Sequence, residues 1–266
     1  SIIRNGAPRG HNWLSNFYAE RKFHTTTWYG FLERHMYPVV RDSLRTGAEV
    51  IAANVTTSGV RLSFRSGEVL EVDQAVVAVP LSALRDNRLR LTPDLPAWGR
   101  EALNQIDWGQ GHKVFMEMRE RFYTDIIAPD GLRAAMADTW ANTTYYDAMF
   151  GKPTDRHVLA LFQVDDQPMA RSQMTDAQLL ADVLADLDSW YDGAASHNLI
   201  QARVMNWSQE PFIRGSYSME NNSDEYIRDI LTPIAGRLAF AGEVLGGDSQ
   251  STVHGAFASG LAAAET

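Results

Sequence analysis

Apolar and polar positions recur with different periods along the chain, and the period separates predicted helices from predicted strands. Residues 28–44 carry apolar side chains at helical spacing up to Pro38, which predicts a helix followed by a turn. Residues 49–80 instead contain the short apolar runs VIAANV, VRLSF and AVVAVP, separated by Ser-Gly turn signals. The third run is continuously apolar, as expected of a parallel strand that is buried on both faces.

The clearest helical pattern covers residues 176–191. Thr175 and Gln178 have the spacing of a capping box at its start, and Gly193 is expected to end it. The apolar positions form one stripe, which is the usual way in which a helix joins a core. We expect this stripe to comprise Leu180, Val183, Leu184, Leu187 and Trp190.

The remaining pattern predicts a separate lobe and a ligand-facing C-terminal segment. Residues 81–231 mix helical stretches, short strands at 113–118 and 158–164, and polar loops. The chain then reads as a buried strand from Arg237, a Gly/Ser/Asp loop over 246–251 and a helix over 254–264. A strand, a polar loop and a helix in this order present a helix N-terminus to a ligand. The fold class predicted is α/β (α+β).

Composition narrows the kind of partner. The 266 residues are 45% hydrophobic and carry a net charge of -9 with no block of Lys or Arg, which argues against nucleic acid and against an anionic membrane surface. No apolar run approaches the roughly 18 residues of a membrane span. We expect a soluble protein, with the cytoplasm favoured, and a small-molecule partner. The abrupt ends of the sequence suggest a segment of a longer product.

Four strings make the sequence similar to a known family. AVVAVPLSAL (75–84), GQGHKVFMEM (109–118), NWSQEPFIRGSYS (206–218) and LAFAGEVLGGDSQSTVHGAFASGLAAAE (238–265) resemble, in order and spacing, the flavin-containing amine oxidases. That family includes monoamine and polyamine oxidases, L-amino-acid oxidases and lysine-specific histone demethylases. The resemblance implies a two-part FAD-binding domain, here 47–84 and 235–266, with an inserted substrate-binding lobe of mixed sheet and helices, 85–234. Residues 1–46 would form a helical segment bordering that lobe.

One part of the family's cofactor site is absent from the sequence. The G-x-G-x-x-G turn that receives the FAD pyrophosphate does not occur, and Gly109-Gln-Gly111 leads into a strand instead of a helix. FAD would therefore require an N-terminal FAD-binding chain or a cleaved precursor fragment that carries this motif, in a hetero-oligomer. An expressed fragment of a larger protein is the alternative.

The resemblance assigns catalysis and substrate binding to a few side chains. Lys113 matches the lysine that holds a water near flavin N5; the alternative is a strand-end lysine that reaches to solvent. Tyr217 matches an aromatic wall for the amine, unless it is simply a core tyrosine. The facing position is Thr252, which leaves that wall open for a substrate larger than a simple monoamine. Trp140 is assigned to the same substrate site.

Further positions would hold the cofactor, which should be noncovalent. Ser216 stands where some relatives carry a flavin-linked cysteine, and the chain contains no cysteine at all. Ser251, Thr252 and Val253 would direct backbone N–H groups at the flavin, and Glu243 would reach the ribityl or phosphate region unless it is an exposed loop carboxylate. The full set of cofactor-binding residues implied is Val50, Trp207, Phe212, Gly242, Glu243, Ser251, Thr252 and Val253.

The implied activity is oxidation of an amine or L-amino acid by hydride transfer to flavin, with O2 giving imine and hydrogen peroxide. No histidine pair has metal-ligand spacing, so no metal site is expected. Two alternatives stay open at this point. One is an oxidative decarboxylase that forms an amide, and the other is a non-catalytic subunit or binding module.

Overall fold

The computed structural model of the chain describes residues 23–127, 143–165, 170–219, 227, 229 and 231–265. Contacts divide the chain into two compact units: unit 1 comprises residues 1–107 and 218–266, and unit 2 comprises residues 108–217. Unit 2 is therefore a continuous insertion in the sequence of unit 1. The predicted lobe, 85–234, contains unit 2 and extends into unit 1 at both ends.

Unit 1 contains a four-stranded sheet of order β3-β2-β1-β5. Strands β1 (Val50–Val55) and β2 (Val60–Phe64) form the predicted hairpin, while β3 (Val69–Val72) and β5 (Arg90–Thr92) complete the sheet. β5 runs parallel to β1, and the other pairs are antiparallel. The hairpin turn requires Gly59, because a Cβ there would meet the carbonyl oxygen of Val72 at 2.2 Å.

A second sheet of unit 1 has two parallel strands, β4 (Ala75–Val77) and β11 (Leu238–Phe240). The prediction that the AVVAVP strand is buried on both faces is wrong for this part of the molecule. Val77 is buried, but Val76 on the other face is 49% exposed. The apolar run predicts the strand correctly, yet the described residues cover only one face of it.

The helices of unit 1 are short, apart from the last. The predicted helix at 28–44 is present but broken into α1 (Trp28–His35) and α2 (Tyr37–Val40). Thr27 caps α1 by accepting the Gly30 N–H at 3.0 Å. Pro38 lies in the first turn of α2, where its missing N–H costs nothing. The helical segments of the unit are α1 (Trp28–His35), α2 (Tyr37–Val40), a 3-10 turn (Arg41–Ser43), α3 (Leu81–Arg85), α4 (Ala97–Gln105), 3-10 turns at Glu243–Leu245 and Gly247–Ser249, and α7 (Val253–Ala264).

Unit 2 is a five-stranded antiparallel sheet with helices on one face. Its strand order is β10-β6-β9-β8-β7. The strands are β6 (Gln110–Met118), β7 (Ile126–Ile127), β8 (Thr143–Asp147), β9 (His157–Asp165) and β10 (Leu199–Asn206), and the helical segments are a 3-10 turn (Ala170–Gln173), α5 (Asp176–Trp190) and α6 (Ala194–Asn198). The two strands predicted at 113–118 and 158–164 are confirmed as the cores of β6 and β9.

Helix α5 joins the core of unit 2 through a stripe that differs from the predicted one. The capping box of Thr175 and Gln178 is confirmed, and Gly193 takes the left-handed conformation just past the helix end. Leu179, Val183 and Leu187 are fully buried against the sheet. Leu180 and Leu184 pack at the margin of that core, whereas Trp190 is 42% exposed. The buried stripe therefore begins at Leu179 and not at Leu180. Both residues are leucines, so the apolar pattern alone did not show which of them faces the core.

None of the helices in the described ranges is both long and apolar enough to cross a membrane.

Candidate functional site

Lys113 lies on β6, between β10 and β9 in the sheet of unit 2, and on the sheet face opposite to helix α5. Its Cα partners are Phe162 on β9 and Met205 on β10. The Nζ atom stands 5.0 Å from the centroid of the Phe162 ring. Burial lowers the pKa of Lys113 below its ordinary value of 10.5. Within the described ranges the ammonium has no ion-pair partner. An amine in this setting gives up its proton more readily than a solvated lysine does.

The carboxylate on the same face of β6 is bound to an arginine and a glutamine and not to Lys113. Glu117 is four residues from Lys113, and its two oxygens accept hydrogen bonds from Arg156 at 2.7 and 2.8 Å. Gln201 donates a third hydrogen bond at 2.6 Å. These bonds hold the pKa of Glu117 at about 2. Glu117 is therefore an ionised, compensated group and not a base for the site.

Tyr217 is fixed beside the start of the strand that carries Lys113. The Gly109 N–H donates to the carbonyl of Tyr217 at 2.9 Å, and the Ser216 N–H donates back to the carbonyl of Gly109 at 2.6 Å. Gly215 makes this junction possible: its φ is 157°, and a Cβ there would meet the Trp108 indole nitrogen at 2.0 Å. Two predicted catalytic residues that are distant in sequence are thereby held in one unit, around the first residues of β6.

Ser216, beside Tyr217, packs against the same strand. Its Cβ lies 2.7 Å from where a Cβ on Gly111 would stand, so only glycine fits there. The Ser216 hydroxyl is buried and has no hydrogen-bond partner in the part of the chain that the structure describes. A buried hydroxyl of this kind normally finds a partner. It therefore marks a position where an additional polar group would be accommodated.

The other predicted residues of unit 2 are less enclosed. Trp207 is half-buried, and its carbonyl accepts the Gly215 N–H at 3.1 Å, which ties it to the junction that holds Tyr217. Phe212 is 63% exposed. Trp140 lies outside the described residues. Backbone hydrogen bonds thus tie the segments of Tyr217 and Trp207 together just before the strand that carries Lys113, and Phe212 lies at the surface of the unit.

In unit 1, Glu243 is the centre of a hydrogen-bond network. One carboxylate oxygen accepts the Ser218 N–H at 3.1 Å, and the other accepts the Ser218 hydroxyl at 2.7 Å and the Ser251 N–H at 2.9 Å. Gln250 donates to the same hydroxyl at 2.8 Å. Burial raises the pKa of Glu243, and the hydrogen bonds from Ser218 and Ser251 oppose that rise. The side chain therefore joins two loops instead of extending into solvent.

Gly242 and the start of α7 complete this region of unit 1. Gly242 has a φ of 141°, and its N–H and carbonyl are both bonded to the Ser259 hydroxyl, at 3.0 and 2.8 Å. A Cβ on Gly242 would meet nothing within 4 Å, so open space lies beside it. The Thr252 hydroxyl caps α7 by accepting the Gly255 N–H at 3.0 Å. Because the Ser251 N–H is taken by Glu243, Thr252 and Val253 are the predicted N–H donors that remain at this helix end within the described residues.

Val50 occupies the first position of β1, on the four-stranded sheet of unit 1, where its Cα partner is Phe64. The role in cofactor binding that the resemblance implies for Val50 stays a prediction.

Sequence reasoning missed a buried polar group on the helix-covered face of unit 2. His112 is 1% exposed, and its Nε2 atom lies 2.6 Å from the Gln163 side-chain oxygen. Gln163 in turn donates to Thr143 at 2.9 Å. Burial lowers the pKa of His112, which favours the neutral ring. Its position next to Lys113 was a signal in the sequence, but its hydrogen-bond partner, Gln163, lies on another strand. No cluster of metal-ligating side chains occurs among the residues described.

A family model and individual relatives both match the chain. The family described as flavin containing amine oxidoreductase matches residues 10–266. The chain is 29% identical over 230 residues to histone demethylase-like protein A of Aspergillus fumigatus, covering 80% of this chain and 21% of that protein. It is 26% identical over 247 residues to polyamine oxidase 3 of Oryza sativa subsp. japonica, covering 89% of this chain and 49% of that protein.

The fold agrees with a solved structure. A redesigned putrescine oxidase superposes with a TM-score of 0.64 at 20% identity, covering 89% of this chain and 52% of that one. The chain thus spans about half the length, or less, of the relatives it matches.

Proposed function

Because this chain belongs to the flavin-containing amine oxidoreductase family, we propose that it is the substrate-side part of an enzyme that oxidises an amine or L-amino acid with FAD. The products would be an imine and hydrogen peroxide, with O2 as the electron acceptor. The observation that carries the proposal is Lys113, a half-buried lysine without a carboxylate partner in the described ranges and with a lowered pKa.

The residues present fit FAD. In unit 2, the buried Ser216 hydroxyl has no partner in the described part of the chain, as expected where a polar cofactor adjoins it. In unit 1, open space adjoins Gly242, and the first turn of α7 provides N–H donors and the positive end of a helix dipole. Val50, Gly242, Glu243, Thr252 and Val253 of unit 1, and Trp207 and Phe212 of unit 2, are the proposed cofactor-binding residues. Ser251 of the predicted set is left out because its N–H is bound to Glu243. Without any cysteine in the chain, binding would be noncovalent.

FAD supplies the acceptor for the hydride and, once reduced, the electrons for O2. The chain's own residues have simpler tasks. Lys113 would hold a water molecule through its amine and exchange a proton with it, which a lowered pKa favours. Tyr217 would orient the substrate amine against its ring and exclude water from it. Thr252 is small, and its hydroxyl is occupied by the helix cap, so it would leave room for a larger substrate.

The missing phosphate-binding turn would come from outside these 266 residues. A separately encoded chain and the N-terminal part of a common precursor both meet this requirement. Either would carry G-x-G-x-x-G and remain tightly associated, because among the described residues β4 and β11 pair only with each other, and strand edges of this kind need a partner.

Lys113→Met tests the proposed chemistry. In the complete FAD-containing assembly, we expect the variant to slow flavin reduction or reoxidation by about 100-fold or more, because a proton-exchanging group contributes about that much. FAD content should not change. Lys152→Met, at a loop position of the same unit, is the matched control and should behave as wild type. Stopped-flow absorbance separates the two half-reactions, and unchanged rates in both would remove Lys113 from the mechanism.

A further inference from the structure

The aromatic ring under Lys113 belongs to Phe162, which no part of the sequence resemblance singled out. The Nζ atom is 5.0 Å from the ring centroid, within the range at which a ring face attracts a cation. The two residues are directly opposite each other on β6 and β9. Within the described ranges, the ammonium has no hydrogen-bond or ion-pair partner, and the Phe162 ring is its one electrostatic partner.

The position of the ring is fixed by the neighbouring rung of the same strands. Thr143, Gln163 and His112 are directly opposite one another on β8, β9 and β6. Their side chains form a continuous chain of hydrogen bonds, with 2.9 Å from Gln163 to Thr143 and 2.6 Å between Gln163 and His112. A slip of one residue between β6 and β9 would break these bonds and turn Lys113 to the other face. The polar rung therefore keeps Phe162 across from Lys113.

We propose that Phe162 is a positioning residue for Lys113: its ring face holds the amine in place on the sheet face opposite to helix α5 and stabilises its protonated form. The effect of Phe162 on catalysis rests on the proposed function, whereas its contact with Lys113 does not. Burial and the ring act in opposite directions, since burial favours the neutral amine and the ring favours the cation. Their balance sets how readily Lys113 gives up and regains a proton.

The charged groups around Lys113 do not replace the ring. On the same sheet face, the Glu117 carboxylate is compensated by Arg156. Arg203 is on that face two rungs away on the adjacent strand β10, and Tyr146 is two rungs away on β8, which is separated from β6 by β9. Arg203 is a cation that would repel the ammonium. On the opposite face, the Arg171 guanidinium is paired with Asp182 and Asp186, and His112 is held neutral by burial.

The chain offers a direct test, because it contains only three lysines: Lys22, Lys113 and Lys152. The pH dependence of acetylation by acetic anhydride, read by peptide mass spectrometry, gives the titration midpoint of each lysine without using catalysis. Phe162→Leu removes the ring face and keeps an apolar side chain of similar bulk, whereas Phe162→Tyr keeps the ring. The measurement is made on the complete assembly, with Lys152 as the internal reference.

In Phe162→Leu we expect the Lys113 midpoint to fall by about half a unit, as loss of a cation–π contact implies. The midpoint should stay at the wild-type value in Phe162→Tyr, and Lys152 should not move in either. If Phe162→Leu does not fold, Phe162→Met also lacks a ring and supplies the same comparison. An unchanged midpoint in the ringless variant would overturn the proposal, as would an equal fall in Phe162→Tyr.

Rates of the two half-reactions complete the test. Phe162→Leu should slow the same half-reaction that Lys113→Met slows, and Phe162→Tyr should restore it. Normal rates in Phe162→Leu despite a shifted midpoint would overturn the positioning role. If Lys113→Met itself leaves both rates unchanged, the proposed function fails, and the acetylation result then shows separately whether the ring holds the lysine.

Discussion

Glu243 illustrates how one side chain can connect segments that are far apart in sequence. Its carboxylate accepts three hydrogen bonds, two from Ser218 and one from the Ser251 N–H. An amide in its place would keep the shape but turn one acceptor into a donor facing other donors. Glu243→Gln should therefore lower the free energy of unfolding by about 1–3 kcal/mol, the cost of an unsatisfied buried polar group.

The control for that substitution lies in the same loop. Asp248 is exposed, and Asp248→Asn removes the same charge without entering the network. Denaturant titration of both variants measures the difference. Equal, small effects of the two substitutions would show that the network around Glu243 contributes no stability.

Residue identity predicted some of the site and not the rest. Lys113 and Tyr217 are predicted from matched strings, and their roles stay predictions. The structure places Lys113 on β6 and bonds the Tyr217 backbone to Gly109, just before that strand. Phe162 could not be found in this way, because a phenylalanine in an apolar run has no distinguishing signal. Its contact with Lys113 depends on the register of two strands separated by about fifty residues, which the local pattern does not encode.

Strand β6 also carries a pH-dependent ion pair with the loop before β9. The Arg156 guanidinium and Gln201 hold the pKa of Glu117 at about 2, below its ordinary 4.5. A lowered folded-state pKa stabilises the fold above pH 4.5, and this contribution is lost as the pH falls from there toward 2. The difference in unfolding free energy between wild type and Glu117→Gln should therefore shrink over that interval.

Chemical denaturation at several pH values from neutral to acid measures this difference. Arg156→Gln breaks the same pair and should give the same pH profile. A difference between wild type and Glu117→Gln that stayed constant across the interval would mean that the pair does not control the titration of Glu117.

The elements themselves were predicted best where the signal is local. The hairpin of β1 and β2 follows from two apolar runs around a Ser-Gly turn, and the start of α5 follows from its capping box. Burial was harder to predict, because it depends on what packs against an element. Val76 is exposed although its strand is continuously apolar, and Leu179 replaces Leu180 in the α5 stripe. The short β5 and α3 carry too few residues for a period to show.

At the level of the whole molecule, we propose that a second polypeptide completes the cofactor site. The chain spans about half of the polyamine oxidases it matches, and its sequence lacks the G-x-G-x-x-G turn. We therefore expect native mass spectrometry of the assembly to show this chain bound to a polypeptide with that motif, together with the mass of FAD. A stable, colourless assembly of this chain alone would contradict the expectation.

The proposal that FAD in the assembly accepts a hydride from an amine is tested most directly by the visible spectrum during anaerobic addition of substrate. The panel should include L-amino acids, polyamines and arylalkyl amines, and air should be readmitted at the end. We expect at least one class to bleach the flavin absorption, and air to restore it with one peroxide formed for each amine oxidised. An assembly without flavin, or a bound flavin whose spectrum no amine in the panel changes, would contradict it.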